Sequence, residues 1–435
     1  MDADQVATLR PALSALLGKF RRCFATINTF DHLKRYVSGL MTDVKRKSIE
    51  PIALAAGVPV RTLQEFLSHA RWDVHRLHNI LQQIVVDEHN CDHAIGVIDG
   101  CAHSKKGNKT PGVQRQWCGE TGKIDNCVVG QHLVYTDNDP DNPFTCLLAS
   151  DLYLPKSWDE NRDRCREAHI PEHVVYQCKW EIALDQLAEA IGNGVRLSWV
   201  TFDEEYGMVP AFWRGLDSLG QRAIGEVPSN FLCWPTYPSC RSLQGPHAAK
   251  RVDNACKGSP VFRDKDWYRM KIKRTTRGYC EWELRAARVY LVDTSGTKSR
   301  PTDRKYWLIV ARSTHGKRET KYFVSNASAS CSLQEMMSAA WARWHVEKWF
   351  ERAKQETGFG AFELRTYHGL LRHWLSSRIA MYFLAAQTKR LRGEKSADHV
   401  GADQPNCPRG RAPDMEARLA LGHRSTQDHR VSSVA

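Results

Sequence analysis

Asp99 closes the apolar run AIGVID within the stretch GVIDGCAHSKKG, and Asp203 closes a second apolar run, VRLSWVTFD. A third acid, Glu347, lies in MMSAAWARWHVEKWFERAKQETG, which has the composition and period of a helix. An acid that ends an apolar strand is expected at the carboxyl edge of a sheet, where open α/β sheets build their sites. Two such aspartates with a glutamate supplied from a helix make an all-oxygen pocket suited to the hard cations Mg²⁺ or Mn²⁺. Two ions about 4 Å apart can activate an attacking oxygen and stabilise a leaving one in phosphodiester transfer. Asp99, Asp203 and Glu347 are therefore the candidate catalytic and metal-binding residues.

Arg343, Glu347, Phe350 and Lys354 fall at i, i+4, i+7 and i+11 and share one narrow stripe of that helix. Mixed charge and apolar character on one stripe suggests a functional face. Arg343 and Glu347 could equally be a solvated i,i+4 ion pair, worth a few tenths of a kcal/mol. Other chemistries find little support. GETGK is too short for a phosphate-binding loop, EHNCDH offers His89, Cys91 and His93 with no second pair to complete a metal site, and GxSxG and HExxH are absent.

The elements that must position the acids follow from the period. Residues 1–88 read as helices and contain SIEPIALAAGVPVRTLQEFLSHARW, a helix ending at Gly57, a turn with Pro59 and a second helix from Arg61. That spacing suits a helix-turn-helix offering Arg61, Thr62 and Gln64 to a DNA groove, or a plain αα-hairpin. Residues 89–230 read as three strands, a helix, a strand, a helix and a strand, which is a mixed α/β sheet. Residues 231–330 read as an inserted β subdomain, residues 331–388 as returning helices, and 389–435 as a polar tail without packed structure.

Charge points to the partner. The chain of 435 residues carries a net charge of +13, and residues 241–330 hold 21 Lys and Arg against 8 Asp and Glu, leaving 41 against 41 elsewhere. All the excess positive charge sits in the insertion, the footprint expected of a polyanion-binding surface, although a solvated basic surface is the plainer alternative. Trp267, Tyr268, Tyr279, Trp282, Tyr306 and Trp307 are interleaved there and could stack on bases, or could be core. Fourteen cysteines without a CxxC pair read as reduced thiols, and no secretory signal or run of about 18 apolar residues is seen. A soluble intracellular protein is expected.

With these residues in place the sequence resembles the DDE transposases of bacterial insertion sequences, in the branch whose RNase H-like core is interrupted by a β-strand insertion. IDGCAHSKKG, GVQRQWCGETGKIDNC, LYLPKSW, FDEEYG, WLIVARS and RWHVEKWFERAKQETG fall in that branch's order, over residues 20 to 385. The last is the most specific: an arginine, a glutamate after three residues and a lysine after six more. The resemblance implies that Asp99, Asp203 and Glu347 are the metal triad for Mg²⁺ or Mn²⁺, and that Arg343 and Lys354 contact DNA. It implies double-stranded DNA as partner, both element terminal inverted repeats and target, a homodimer on that DNA, no membrane and no nucleotide cofactor, in a bacterial cytoplasm. A tryptophan of the insertion would brace a flipped base, with Trp267, Trp282 and Trp307 as unranked candidates. Lys105, Lys106, Lys271, Lys273 and Arg274 are further expected DNA contacts. The family's tyrosine before the arginine is replaced by Ala340 with Trp341 beside it, Gly100 and Cys101 follow Asp99 in place of Asp-Thr, and Glu205 fills a small-residue position. The alternative is a DNA-binding protein with a weakened catalytic core, and flanking inverted repeats would favour the mobile element.

Overall fold

The computed structural model describes residues 3–239, 248–275, 278–297, 299–314 and 319–400. The N-terminal region is helical: α1 (Ala3–Gly18), a single 3-10 turn (Arg21–Cys23), α2 (Ile27–Leu40), α3 (Ile49–Ala55), α4 (Val60–Ser68) and α5 (Val74–His89). Thr26 and Asp73 cap α2 and α5 by accepting the main-chain N–H groups of Thr29 and Arg76. The α3–α4 turn passes through Gly57 in the left-handed region (φ +64°), and Pro59 leads into α4. Leu63, Phe66 and Leu67 of α4 are buried, which leaves Arg61 and Gln64 exposed on its other face.

The central region runs β1 (Ile95–Ser104), β2 (Gln114–Cys118), β3 (Lys123–Thr136), β4 (Thr145–Leu152), α6 (Lys156–Asp159), α7 (Arg162–Glu167), α8 (Lys179–Gly192), β5 (Trp199–Phe202), α9 (Glu204–Gly207), α10 (Pro210–Ser218) and β6 (Ala223–Val227). Three strands in antiparallel pairing, β4-β3-β1, are followed by β5 and β6 in parallel, as an RNase H-like core requires. Near-continuous apolar runs such as VVGQHLVYT in β3 fit a sheet with both faces covered.

The insertion contributes β7 (Leu232–Trp234), β8 (Lys250–Arg251), α11 (Val252–Gly258), α12 (Pro260–Arg263), β9 (Tyr268–Thr275), β10 (Gly278–Asp293), β11 (Arg300–Pro301), β12 (Tyr306–Ser313) and β13 (Thr320–Ser325). Its main strands do not form a sheet of their own. β13 pairs antiparallel with β6, Tyr322 opposite Val227 and Ser325 opposite Ile224, so that β6-β13-β12-β10-β9 extends the core sheet. An edge strand left open at β6 would be a template for unwanted pairing, and β13 closes it.

The chain ends its described part in α13 (Leu333–Ala342), α14 (Trp344–Thr357) and α15 (Tyr367–Val400). α15 continues past residue 389, where the polar composition predicts an unstructured tail. Residues 389–400 are polar but contain no proline, the next being Pro405, and Lys389 pairs with Asp137 and lies 3.4 Å from Asp139. Residues 401–435 of the expected tail lie outside the described residues. Behind the sheet, His103 of β1 and His132 of β3 pack with Phe350, Phe359, Phe362 and Trp374, which fixes α14 and α15 on the β1–β3 pair. Burial drives both imidazoles down, His132 to about 3, so they serve as neutral core groups.

Candidate active site

β1 and β5 run parallel in register, Val97 beside Thr201. The pairing ends there, two residues before Asp99 on β1 and two before Asp203, which follows β5, and the charge of Asp203 is felt at Asp99. The two aspartates are not equivalent, however. Asp203 follows the last residue of β5 and caps α9, its Oδ1 accepting the Glu205 N–H at 2.9 Å. Asp99 was expected to end its strand, but it lies in the middle of β1, which continues to Ser104 because β3 pairs with it along its full length. Its Oδ1 accepts the N–H of Gly100 at 2.8 Å.

The stretch FDEEYG has a physical reason for its glycine: a Cβ on Gly207 would stand 1.9 Å from the Glu226 carbonyl oxygen, so only glycine lets α9 press on β6. Tyr206 of the same turn is fully buried and donates its hydroxyl hydrogen to Gln131 of β3. Gln131 reaches back toward the Asp99 carbonyl at 3.5 Å, and Gln186 of α8 donates to the Gln131 carbonyl at 2.8 Å and to Asp151 at 2.7 Å. This buried brace ties both aspartate-bearing segments to β3. It escaped sequence reading because nothing in the local pattern joins residues 131, 186 and 206.

The third acid arrives on α14. The stripe expected on one continuous helix is interrupted, since α13 ends at Ala342 and α14 begins at Trp344, with Arg343 at the junction. Arg343 does not pair with Glu347 among the described residues. Its Nη2 lies 4.0 Å from Glu226 of β6, which Lys321 of β13 also holds at 2.7 Å. Glu347 is exposed in the first turn of α14. One turn on, Phe350 packs 5.3 Å from His132, the β3 partner of Asp99, so α14 lies over the β1–β3 pair, and the charge of Glu347 is felt weakly at Asp99. A further turn on, Lys354 donates to the Ala102 carbonyl at 3.4 Å and stands 3.7 Å from Glu120, whose carboxylate accepts the Ser104 N–H.

Electrostatics set this cluster apart. Burial, then the negative charge of Asp203, raise Asp99 to about 7, with Glu347 adding to the same effect and Arg343 opposing it. Asp203 is also raised, first by burial, with Arg343 again opposing. Repulsion within the pair falls on Asp99. The donors are all carboxylate oxygens and Arg343 is their principal cation, so a hard divalent ion fits the chemistry of the set. Among the described residues no group of three or more His, Cys, Asp or Glu side chains is gathered closely enough to hold a metal ion, so Asp99, Asp203 and Glu347 do not form a ready-made three-acid site.

The remaining expected residues are scattered. Lys105 donates to the carbonyls of Gly360 and Phe362 at 3.1 and 2.8 Å and caps the Phe362 ring at 3.6 Å, and burial lowers it to about 8. It buttresses the loop after α14 and is half-buried, whereas Lys106 is exposed. Trp282 is buried and meets Trp341 edge-on at 5.6 Å. Trp341 stacks on Phe323, so the ring next to Ala340 fastens α13 to the insertion. Trp307 donates to the Ser328 carbonyl. Trp267 is half-buried, with Arg312 and Arg285 at 3.8 and 4.4 Å from its ring. Burial thus separates Trp282 from the other two tryptophans. Lys271 is exposed on β9, and the side chains of Lys273 and Arg274 lie outside the described residues.

A mixed sheet in the order β4-β3-β1-β5-β6, with acids on β1, after β5 and on a later helix, defines an RNase H-like nuclease-type core. The model of the DDE superfamily endonuclease family matches residues 19–279, more than half of the chain, and the protein belongs to that family. The match contains Asp99 and Asp203 and stops short of Glu347. A protein of Microchaete diplosiphon described as "probable transposase for insertion sequence element IS701" is 27% identical over 215 residues, 48% of this chain and 52% of the relative. The alignment thus spans about half the length of that relative. No described helix is long and apolar enough to cross a membrane.

Proposed function

We propose that this chain is an insertion-sequence transposase that cuts DNA at the terminal inverted repeats of its element and joins the freed ends to a target, with Asp99, Asp203 and Glu347 holding Mg²⁺ or Mn²⁺. In cutting, a water oxygen attacks phosphorus and the 3′ oxygen leaves as a hydroxyl. In joining, that hydroxyl attacks a target phosphorus and displaces the target's own 3′ oxygen. The cations, when bound, supply Lewis-acid stabilisation of the attacking and leaving oxygens. The chain's own groups hold and orient. Asp99 and Asp203 present oxygens from a rigid strand pair, Glu347 closes the set from α14, and Arg343, fixed by Glu226, balances part of the negative charge.

Further groups fit a DNA path. Lys354 beside β1, the exposed Lys106 and Lys271, and the half-buried Trp267 flanked by two arginines are suited to phosphates and to one unstacked base. Arg61 and Gln64 on the free face of α4 are suited to groove contacts. A dimer on DNA and residence in the bacterial cytoplasm follow from the same reading. The observation that carries it is the charge effect on Asp99 of β1 from Asp203, just past the end of the parallel neighbour β5, both partly buried and opposed mainly by Arg343. The test is cleavage of duplex carrying the element's ends: wild-type protein nicks it with Mg²⁺ or Mn²⁺ and not with EDTA. Undiminished cleavage in EDTA would reject the metal role, and DNA binding with no cleavage at a verified end would reject the enzyme.

A further inference from the structure

A second cationic site lies away from the acids, in an open cleft of about 570 Å³ between the loop after α4 and the start of α15. Trp72 forms its floor, stacked on Phe66 of α4 at 5.6 Å and on Phe24 at 5.2 Å. Arg372 of α15 also lines it, 8% exposed, with its guanidinium 5.0 Å from the Trp72 ring centre and Nη1 donating to the Leu67 carbonyl at 2.9 Å. Its Nε is buried without a hydrogen-bond partner, Nη2 makes no hydrogen bond among the described residues, and no carboxylate pairs with it there. Around the rim stand the exposed Arg71, His69 and His368, with His169 meeting the His69 ring edge-on at 6.2 Å. Asp73 is the one acid of the lining, and its Oδ1 is engaged by the Arg76 N–H as the cap of α5.

We infer that this cleft is a phosphate-binding site that clamps the DNA backbone beside α4. A nearly buried guanidinium without an acid partner keeps its charge only at a cost in desolvation, which an anionic ligand would offset. Burial lowers Arg372 to about 10, and burial, then the positive charge of Arg372, lower His368, so the cleft's fixed positive charges are Arg372 and the rim Arg71. Planar guanidinium groups suit phosphate oxygens, as they do carboxylates. The bond from Arg372 to Leu67 links the clamp to α4, so a gripped phosphate would fix the angle at which Arg61 and Gln64 meet the groove. DNA is favoured over a free anion because the cleft is open and adjoins the α3–α4 pair.

The inference rests on the DNA-binding reading above, and the test separates the two. Full-length wild type, Arg71→Gln and Arg372→Met are compared for binding to a duplex carrying the element's end across about 50 to 200 mM salt. Loss of one phosphate contact should make the log–log salt slope shallower by about 0.9 and weaken binding at low salt several-fold. Inorganic phosphate should raise the melting temperature of wild type, against chloride at equal ionic strength, and not that of Arg71→Gln. If Arg372→Met does not fold, Arg71→Gln decides alone, since its side chain is exposed. An unchanged slope in the variants overturns the clamp while leaving the DNA-binding reading intact. A lost phosphate response with an unchanged slope also overturns it, because the cleft would then hold free anion only. Absence of DNA binding by wild type would overturn both.

Discussion

The two halves of the central sheet treat their acidic residues in opposite ways. In the insertion half, Asp293 is held by Arg214 and Arg300 at 2.8 and 2.9 Å, and Glu283 by Arg312 and Arg269 at 2.7 and 3.3 Å. Against the opposing effect of burial, the Ser295 N–H and then Arg300 draw Asp293 below its ordinary value, and Arg312 does the same for Glu283. In the core half, Asp99 on β1 and Asp203 just after the neighbouring β5 have Arg343 as their main opposing charge, and both are raised, first by burial. Paired acids tie the sheet together, and crowded, under-compensated ones are what the proposed metal-binding role of Asp99 and Asp203 calls for. The basic excess of the insertion is therefore partly spent on its own acids, and only the unpaired remainder is free for DNA.

The comparison breaks first at Asp99. Asp99→Asn should lower cleavage more than about a hundredfold, beyond the 10- to 100-fold typical of losses outside the ligand shell, with DNA affinity retained. The same variant should change the stability profile measured by thermal melts without divalent ions. Because the folded carboxyl titrates at about 7 and the unfolded one near 4, the unfolded chain loses its proton first, so wild-type stability falls as pH rises across that interval. Asp99→Asn should flatten that fall, and a pH profile unchanged by the substitution would contradict the crowding.

Tyr206→Phe sharpens the comparison. Removing the hydroxyl leaves the buried Gln131 Oε1 without its donor and loosens the tie between the two aspartate segments. Cleavage should drop about tenfold in rate with little change in DNA affinity, as for other positioning groups. Equal rates in single-turnover assays would show the brace to be structural only. The smallest effect belongs to the insertion: Asp293→Asn should cost about 1–2 kcal/mol in urea denaturation and leave the chemical step unaltered. Its sign with pH is opposite to that of Asp99. Asp293 is lowered in the folded state, so its contribution is present above the unfolded value and disappears as pH falls through the folded one.

Much of this was legible in the sequence where period and punctuation are local. The helical N-terminus, the turn at Gly57, the β3 and β4 runs and the end of α8 near Gly192 follow from apolar spacing and glycine. Two of the acids could be singled out because each ends an apolar run, although the length of β1 was underestimated: CAHS is too mixed to read as strand without its partner β3. What sequence could not supply depends on contacts between distant segments. The joining of β13 to β6, the pairing of Arg343 with Glu226 and the Tyr206–Gln131–Gln186 brace each link residues far apart in the chain. The interruption at Arg343 left no local signal either, since ARWHVEK contains no glycine or proline.

The central claim, that acids on two adjacent strands and a helix act together on DNA, is tested most directly through Glu347, which lies beyond the segment matched by the family model. Wild type and Glu347→Gln would be compared on end-bearing duplex, with Mn²⁺ and with EDTA, scoring nicked strand on a denaturing gel and binding by mobility shift. Glutamine keeps the size of the side chain and removes the charge a hard cation needs. The account predicts wild-type cleavage that requires the metal, no cleavage by Glu347→Gln, and equal DNA binding by both. Equal cleavage by the two proteins would contradict it.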